Sequence, residues 1–257
     1  MPNMHYINVY STDVGIKKKT NEDSLVIMQA EMSAGPVLLA AVCDGMGGLS
    51  RGELASATAV KGLGSWFTDS LPLLLEEADF GRALSSAWND LVHDLNHRIS
   101  LYGRNHGIHL GTTIAAVLLI GQNYYILNVG DSRVYLLADQ AYQLTHDQTL
   151  VQQEVDEGKL TPEGAEVDPR RSVLLQCVGA SPVVIPDFFA GQVEKGQRLL
   201  VCCDGFRHII TAQEIHQALC RERASGQKKM QKALDGLVQL NKQRGEVDNI
   251  TAILIDV

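Results

Sequence analysis

The pattern of apolar and polar positions changes its period several times along this chain of 257 residues. Short apolar runs of strand length come first, and from residue 73 to 105 apolar residues recur every three or four positions, which predicts a long helix. Three strand-like runs then occupy residues 111–138, and their short connections predict a β-meander. Further strands are predicted at residues 172–178, 188–193, 198–203 and 250–257, with helices beginning after Thr211 and spanning residues 227–243.

The order of these elements favours an α+β fold. Strands, a helix pair, strands, a small polar insert, strands, a helix pair and a final strand follow one another without the regular alternation of parallel βαβ sheets. We therefore expect a four-layer α/β/β/α sandwich, in which two antiparallel sheets pack face to face and a helix pair flanks each sheet. Because no linker interrupts the chain, we expect a single domain over residues 1–257, with a mobile flap at about 149–168.

The amino-acid composition of the chain argues against several classes of binding partner and cellular location. A formal net charge of −8 and an isoelectric point near 5.4 argue against nucleic acid and against a membrane surface as main partners. The five cysteines are an odd number and lie mostly in apolar runs, which indicates a reducing, cytoplasmic location. No window approaches the roughly eighteen consecutive apolar residues that a membrane span needs. The sequence thus predicts a soluble cytoplasmic protein.

The apolar run at residues 37–43 stops at Asp44, and three glycines follow within four residues. A buried strand would deliver this carboxylate to its tip, and the glycines would let the backbone approach a ligand closely. An Asp-Gly pair is also a common turn between two elements, so this feature alone leaves a plain turn open. The same arrangement recurs where the strand at residues 198–203 ends on Asp204.

Four aspartates share such a position at a strand end. Asp44 and Asp204 follow strands, whereas Asp23 and Asp248 precede them. Starts and ends of antiparallel neighbours meet at the same edge of a sheet, so all four side chains can converge. Several carboxylates in close proximity imply bound cations, and the absence of clustered cysteine or histidine favours Mg²⁺ or Mn²⁺ over Zn²⁺. Two such ions most often activate water for attack on phosphorus.

Other polar features have ordinary interpretations beside functional ones. The lysines at residues 17–19, followed by acidic residues, are typical of a solvated surface. Asp131 lies in a tight Gly-Asp turn, where aspartate bonds to local backbone. His93 and His97 are four residues apart on a helix but lack the HExxH context of a metal site, which favours an ordinary helix surface.

Seven short motifs carry a resemblance to a known family. They are TDVG with TNEDS, DGMGG, GTT, VGDSR, LTxD, CDG and DNIT, in this order along the chain. Their order and spacing resemble those of the metal-dependent serine/threonine protein phosphatases of type 2C, the PPM family, in the single-domain bacterial form. The resemblance spans almost the whole chain and implies an α/β/β/α sandwich that hydrolyses phosphoserine or phosphothreonine.

The resemblance also implies metal-binding roles for the matching residues. Asp44 would bridge two metal ions, and the backbone carbonyl of Gly45 would bind one of them. Asp204 and Asp248 would complete the coordination of the partner ion. The implied cofactors are two or three Mn²⁺ or Mg²⁺ ions.

Three further acidic residues receive supporting roles by resemblance. Asp23 would lie close to the metals, directly or through water, and Glu22 beside it would bind through water. Asp131 would share a third, weaker ion with Asp204, which gives this residue a function beyond its turn.

Four positions depart from the family pattern. Lys18 stands in place of a phosphate-binding arginine, and a lysine neutralises phosphate without forming a bidentate pair, so weaker substrate binding is expected. Met46 occupies the place of a histidine proposed in many eukaryotic members to protonate the leaving alkoxide. His208 replaces a carboxylate, which puts the third metal site in question, and His146 and Gln148 flank Asp147 where histidine commonly follows.

These residues predict that a hydroxide bridging two metal ions attacks the phosphoryl group while Lys18 holds a phosphate oxygen. Asp44 and Lys18 are the predicted catalytic residues. Two alternatives remain open: a catalytically weak pseudophosphatase that binds phosphoproteins as a regulator, and a metal-dependent hydrolase of small phosphorylated metabolites. Expected partners are phosphorylated proteins, among them a serine/threonine kinase and its targets, and the chain is expected to be a monomer.

Overall fold

The computed structural model describes residues 6–46 and 51–257, so Gly47 and Gly48 of the predicted glycine-rich turn lie outside the described residues. Within the described ranges, the chain forms twelve strands and eight helices. The strands are β1 Ile7–Asp13, β2 Ser24–Met32, β3 Gly35–Cys43, β4 Gly45–Met46, β5 Gly111–Thr112, β6 Ile114–Ile120, β7 Asn123–Val129, β8 Arg133–Leu137, β9 Ala141–Gln143, β10 Asp187–Gln192, β11 Arg198–Cys202 and β12 Ile250–Asp256. The helices are α1 Gly52–Asp69, α2 Leu71–Leu74, α3 Phe80–His106, α4 Leu150–Asp156, α5 Pro162–Val167, α6 Asp204–Arg207, α7 Ala212–Leu219 and α8 Gln227–Gln243.

Ten of these strands form two five-stranded antiparallel sheets. Sheet I has the strand order β1-β12-β11-β8-β9, and sheet II has the order β10-β7-β6-β3-β2. The short strands β4 and β5 pair separately, with Gly45 opposite Thr112.

The side chains of β3 show how the layers stack. Leu38, Ala40 and Val42 point into a core that they share with strands of sheet I. Leu39 and Ala41 point to the opposite side, into a second core with α1 and α3. Residues of α7 and α8 complete the first core on the outer side of sheet I. The layer order is therefore helices, sheet II, sheet I and helices, which confirms the predicted four-layer sandwich, and β3 is apolar on both faces because both are covered.

Local sequence signals set several helix starts. Thr211 caps α7 in a capping box, because its hydroxyl accepts from the Glu214 amide while the Glu214 carboxylate accepts from the Thr211 amide. Thr149 and Thr161 cap α4 and α5 in the same region as the predicted flap, and Pro162 begins α5. Two antiparallel backbone hydrogen bonds, Leu150 to Val173 and Leu175 to Gln148, join the two ends of this segment at its base.

The predicted β-meander over residues 111–138 is wrong in its last strand. β6 and β7 form a hairpin in sheet II, but β8 pairs with β11 and β9 in sheet I. The chain crosses between the sheets at Gly130, which has a φ of 98° and packs so closely against Thr113 that a β-carbon would meet the Thr113 methyl group at 2.6 Å. Residues 172–178 also form only isolated bridges, at Leu174 and Val178, and not the predicted strand.

Strand register brings the predicted site residues to one end of the sandwich. In sheet II, the first residue of β2, Ser24, pairs with the last residue of β3, Cys43. In sheet I, the last residue of β11, Cys202, pairs with Ala252 near the start of β12. The residues just outside these strand ends therefore come from both sheets and meet at one end.

No helix in the described part of the chain is long and apolar enough to cross a membrane.

Candidate active site

A cavity of about 690 Å³ lies at this end of the sandwich. Seven of the eight predicted site residues line it: Lys18, Glu22, Asp44, Gly45, Asp131, Asp204 and Asp248. The eighth, Asp23, lies behind the wall, and one of its carboxylate oxygens is within 4.8 Å of ligand atoms of Asp44 and Cys203. The structure thus brings all eight predicted residues to one place.

Backbone contacts fix Asp44 at the end of β3. Its amide donates to the Thr113 hydroxyl at 3.0 Å, and its carbonyl accepts from the Thr113 amide at 2.9 Å and the Thr112 hydroxyl at 3.0 Å. The Thr113 hydroxyl also lies 2.7 Å from the Ser132 hydroxyl, which links Asp44 to the VGDSR segment. The paired threonines of the GTT motif therefore act as positioning residues for the Asp44 carboxylate.

Close backbone packing explains the glycine after Asp44. A β-carbon on Gly45 would collide with the carbonyl oxygens of Glu22 and Gly52. The Gly45 amide donates to the Glu22 carbonyl at 3.1 Å, and one Glu22 carboxylate oxygen accepts from the Gly52 amide at the start of α1, at 3.0 Å. Only glycine lets these three segments meet, so the second position of the Asp-Gly pair is fixed by packing.

A network around Asn249 positions Asp248. The Asn249 side chain accepts from the Glu22 amide at 2.8 Å and donates to the Val14 and Thr20 carbonyls at 2.9 and 3.2 Å. The Asp248 amide donates to the buried Glu246 carboxylate at 3.0 Å. This role of Asn249 was missed at the level of the sequence, although its place in the DNIT motif was a signal for it.

The carboxylates at the base of the cavity lack partners. Both Asp23 oxygens and the Oδ1 oxygen of Asp204 have no hydrogen-bond partner among the described residues. Burial, followed by the charges of Asp204 and Asp248, raises the pKa of Asp23 to about 7. Burial and the charges of Asp23, Asp204 and Asp131 raise the pKa of Asp44 well above its usual value. Like charges held this close in a buried site need a cation to stay ionised.

Lys18 is the basic residue that contacts this cluster from the open side. Its ammonium group lies 3.0 Å from Asp248 Oδ1 and 3.7 Å from Glu22 Oε2. Partial burial would lower the pKa of Lys18, but the hydrogen bond to Asp248 and the charges of Asp248, Glu22 and Asp44 outweigh this effect and raise it. The side chain is 40% exposed, so it can exchange partners.

Asp131 lies on the far wall of the cavity and is 5% exposed. Burial and the charge of Asp204 raise the pKa of Asp131 to about 7, against the opposing effect of Arg207. Arg207 donates to the Asp131 carbonyl at 3.1 Å and to the Asp147 carboxylate at 3.2 Å. The sequence did not identify this arginine, because its partners Asp131 and Asp147 lie far from it along the chain.

Cys203 is a further neighbour that the sequence did not identify. Its thiol is buried, accepts from the Thr251 amide at 3.1 Å, and lies within 4.8 Å of ligand atoms of Asp23 and Asp44. Burial raises the pKa of the Cys203 thiol well above its usual value, which keeps it neutral. The groups that carry negative charge at this end are therefore oxygens.

These groups fit hard divalent cations. Carboxylate and backbone carbonyl oxygens are the ligands that Mg²⁺ and Mn²⁺ prefer, and a bound cation would satisfy the buried oxygens of Asp23 and Asp204 that have no partner among the described residues. His93 and His97 are exposed on α3, and His146 pairs with Asp156 on the surface at 2.7 Å, so these histidines lie apart from the cluster.

Comparison with known proteins agrees with this geometry. The family model described as protein phosphatase 2C matches residues 16–240. Protein phosphatase PhpP of Streptococcus pneumoniae is 30% identical over 248 residues, which cover 96% of this chain and 95% of the relative. The structure of the S. agalactiae serine/threonine phosphatase has a TM-score of 0.83 and 31% identity, covering 98% of this chain and all of that one.

One further solved structure contains metal ions. The catalytic domain of serine/threonine protein phosphatase PstP, solved in complex with two manganese ions, has a TM-score of 0.77 and 28% identity over 98% of this chain and 97% of that one. The family model, the relatives and the fold all indicate a protein phosphatase, and the carboxylates that line the cavity agree with this. The chain belongs to the protein phosphatase 2C family.

Proposed function

We propose that this chain is a serine/threonine protein phosphatase that hydrolyses phosphoserine and phosphothreonine and depends on bound Mn²⁺ or Mg²⁺. The observation that carries the proposal is the row of carboxylates at one cavity, with buried oxygens that have no partner among the described residues. Family membership supports the same activity.

The residues proposed to hold two divalent ions are Asp44, Asp204 and Asp248, together with the carbonyl of Gly45. Glu22 and Asp23 lie close enough to support them, directly or through water. Bound ions would supply a water made acidic enough to attack at neutral pH and would offset the charge on the phosphoryl oxygens.

The remaining steps fall to this chain's own residues. Lys18 is proposed to hold a phosphate oxygen through its ammonium group, since it lines the cavity beside Asp248 and is half exposed. The described residues that line this cavity include no histidine. Met46 lies on its wall, at the position where many eukaryotic members of the family have the histidine that is proposed to donate a proton. The proton for the leaving serine or threonine oxygen is therefore proposed to come from water.

The wider biological role is also a proposal. Substrates would be phosphorylated proteins, in line with the names of the relatives, which are called protein phosphatase and serine/threonine phosphatase. A serine/threonine kinase and its targets are proposed to be among them. The chain is proposed to act as a cytoplasmic monomer, in one domain over residues 1–257, and its net charge of −8 supports protein substrates over nucleic acid. The segment at about 149–168 is proposed to be a flap that selects substrates, since Ser172 and Leu174 at its base line the cavity.

The decisive experiment measures hydrolysis of an aryl phosphate and of phosphoserine and phosphothreonine peptides, with Mn²⁺ and after full chelation. Activity should require the metal and should be lost in Asp44→Ala, whereas Asp90→Asn, which changes an exposed aspartate on α3, should leave it unchanged. Hydrolysis that survives chelation or Asp44→Ala would refute the metal-dependent function. Metal binding without turnover on any substrate would instead favour a pseudophosphatase, and a preference for phosphorylated metabolites would indicate a metabolite hydrolase.

A further inference from the structure

Arg207 occupies an unusual position beside the carboxylates of the cavity. It is the last residue of α6, the four-residue helix that begins with Asp204. Residues three apart on a helix lie on the same side, so the helix that presents the Asp204 carboxylate also directs the arginine toward the same region. The arginine side chain is only 16% exposed.

One partner of the Arg207 guanidinium group is Asp131. Its Nη2 atom donates to the Asp131 carbonyl at 3.1 Å and lies 3.7 Å from the Asp131 carboxylate oxygen Oδ2. An arginine remains charged at any pH at which the protein is folded. Asp131 therefore has a permanent positive charge beside it before any metal ion arrives.

A second aspartate holds Arg207 in this place. The same Nη2 atom donates to Asp147 at 3.2 Å, and Asp147 is itself bound through both oxygens by Arg133, at 2.8 and 2.7 Å. Two arginines and two aspartates thus lie together, so that each carboxyl group has a guanidinium group beside it. Because Asp147 is 6% exposed and held by Arg133, it acts as a fixed anchor that keeps the guanidinium next to Asp131.

His208, the next residue, offers no compensating ligand. Its Nδ1 atom lies 3.3 Å from the buried Glu246 carboxylate, and its Nε2 atom contacts the Arg171 guanidinium. Both ring nitrogens are therefore directed at other groups, and the position four residues after Asp204 supplies nothing to a cation at Asp131.

The other basic contact in the cavity is of a different kind. Lys18 pairs with Asp248 but is 40% exposed on a flexible side chain, so a divalent ion can displace it. Arg207 is buried, and its Nη2 atom donates to both Asp131 and Asp147, so the side chain cannot leave without breaking its bond to Asp147. A divalent ion at Asp131 would have to sit next to this fixed charge.

From these contacts we infer that the Arg207 guanidinium takes the place of a third divalent cation, so that this chain binds two divalent ions and not three. The inference rests on the proposed metal-dependent function. It assigns Asp131 to a contact with a fixed guanidinium group, so that the positive charge beside Asp131 does not depend on the metal concentration.

The test counts Mn²⁺ ions bound per chain by equilibrium dialysis up to millimolar concentration. We expect two in the wild type and two in Asp131→Asn, because Asp131 holds no ion. Arg207→Ala frees the Asp131 carboxylate, and we expect three ions there, falling back to two in Arg207→Ala combined with Asp131→Asn. Arg244→Ala is the control, since it removes an arginine that pairs with Glu214 and contacts neither Asp131 nor His208, and should keep two.

Three bound ions in the wild type, with the third lost in Asp131→Asn, would overturn the inference, as would any wild-type count other than two. A folded Arg207→Ala variant that still binds two would overturn it as well. If a melting curve shows that Arg207→Ala does not fold, the comparison of wild type with Asp131→Asn decides alone. The count requires no turnover, so a protein that binds two ions without hydrolysing phosphopeptides would refute the proposed function and leave the inference standing.

Discussion

Without divalent cations, this protein should become less stable as the pH rises from 5 to 8. The reason lies in Asp23, which is 9% exposed and whose carboxylate oxygens have no partner among the described residues. Burial, then the charges of Asp204 and Asp248, raises the pKa of Asp23 from 3.8 to about 7. The folded state therefore holds this proton more tightly than the unfolded state does. The resulting stability is fully present below about pH 4 and is lost as the pH rises through 7.

The size of the effect follows from the shift in pKa. Between 3.8 and about 7 there are about three units, and each unit corresponds to about 1.4 kcal/mol, so Asp23 alone contributes about 4 kcal/mol. Only the part of this loss between pH 5 and about 7 falls within the range from pH 5 to 8, so we expect a loss of about 3 kcal/mol there, or roughly 6–12 °C in Tm for a protein of this size. Asp44 and Asp131 shift in the same direction, but the three carboxylates interact and their effects do not add. Asp13 and Glu246 have lowered pKa values and are ionised throughout this pH range.

The assay is thermal unfolding followed by circular dichroism in excess chelator at pH 5, 6, 7 and 8. Asp23→Asn replaces the carboxyl group with a neutral group of the same shape, so its Tm should depend less on pH than that of the wild type. Asp90→Asn serves as the control for an exposed aspartate and should follow the wild type. Saturating Mn²⁺ should reverse the trend, because metal binding favours the ionised carboxylates. A metal-free wild type whose Tm is constant or rises with pH, or an Asp23→Asn variant with the wild-type slope, would refute the reasoning.

Two substitutions test other contacts. If Lys18 binds phosphate, Lys18→Ala should raise the KM for an aryl phosphate about tenfold, the value of one charge-assisted hydrogen bond, and Lys18→Arg should keep or lower it; an unchanged KM in Lys18→Ala would place this lysine on the ordinary surface. Arg198, 1% exposed and 3.0 Å from Asp256, should stabilise the fold. Arg198→Met leaves the buried Asp256 carboxylate with only a 3.8 Å contact to Arg221 and removes the donor to the Leu219 and Ala224 carbonyls, so it should cost about 3–5 kcal/mol in urea unfolding. Combining it with Asp256→Leu should recover part of this loss, since only the two carbonyls then lack a donor, and a double variant no more stable than Arg198→Met would contradict the account.

The convergence of the site could be predicted because its signals are local. An apolar run that ends on Asp44 or Asp204 is visible in the sequence, and antiparallel pairing then forces strand starts and ends together. The register that places Ser24 opposite Cys43 confirms this step. The only additional fact that the structure supplies is that each of the two sheets contributes one such pair of strand ends.

The failure of the β-meander has a different origin. Gly130 and Asp131 look like a hairpin turn, and nothing in the neighbouring sequence distinguishes a hairpin from a crossing between two sheets. The outcome depends on β11, which begins at Arg198 and provides the pairing edge for β8. A partner that lies more than sixty residues away leaves no local signal.

The supporting roles of Asn249 and Arg207 could not be predicted either, because their partners are also distant in the sequence. Asn249 and Arg207 act through contacts with segments far away in the sequence, Asn249 with the Glu22 amide and Arg207 with Asp131 and Asp147. Their residue types are compatible with an ordinary surface or turn. Only the fold reveals which backbone or carboxylate each of them reaches.

The two basic residues that contact the carboxylates, Lys18 and Arg207, differ in how firmly each is held. In the metal-free protein, Lys18 neutralises part of the charge on Asp248 at 3.0 Å. If Asp248 holds an ion as proposed, the ammonium group would be repelled and would then be available for a phosphate oxygen. Arg207 cannot respond in this way, because Asp147 holds it beside Asp131 whether or not ions are present. If Lys18 holds phosphate as proposed, substrate binding would be coupled to metal occupancy at the Lys18 side of the cavity, because the ions would have to bind before Lys18 could leave Asp248.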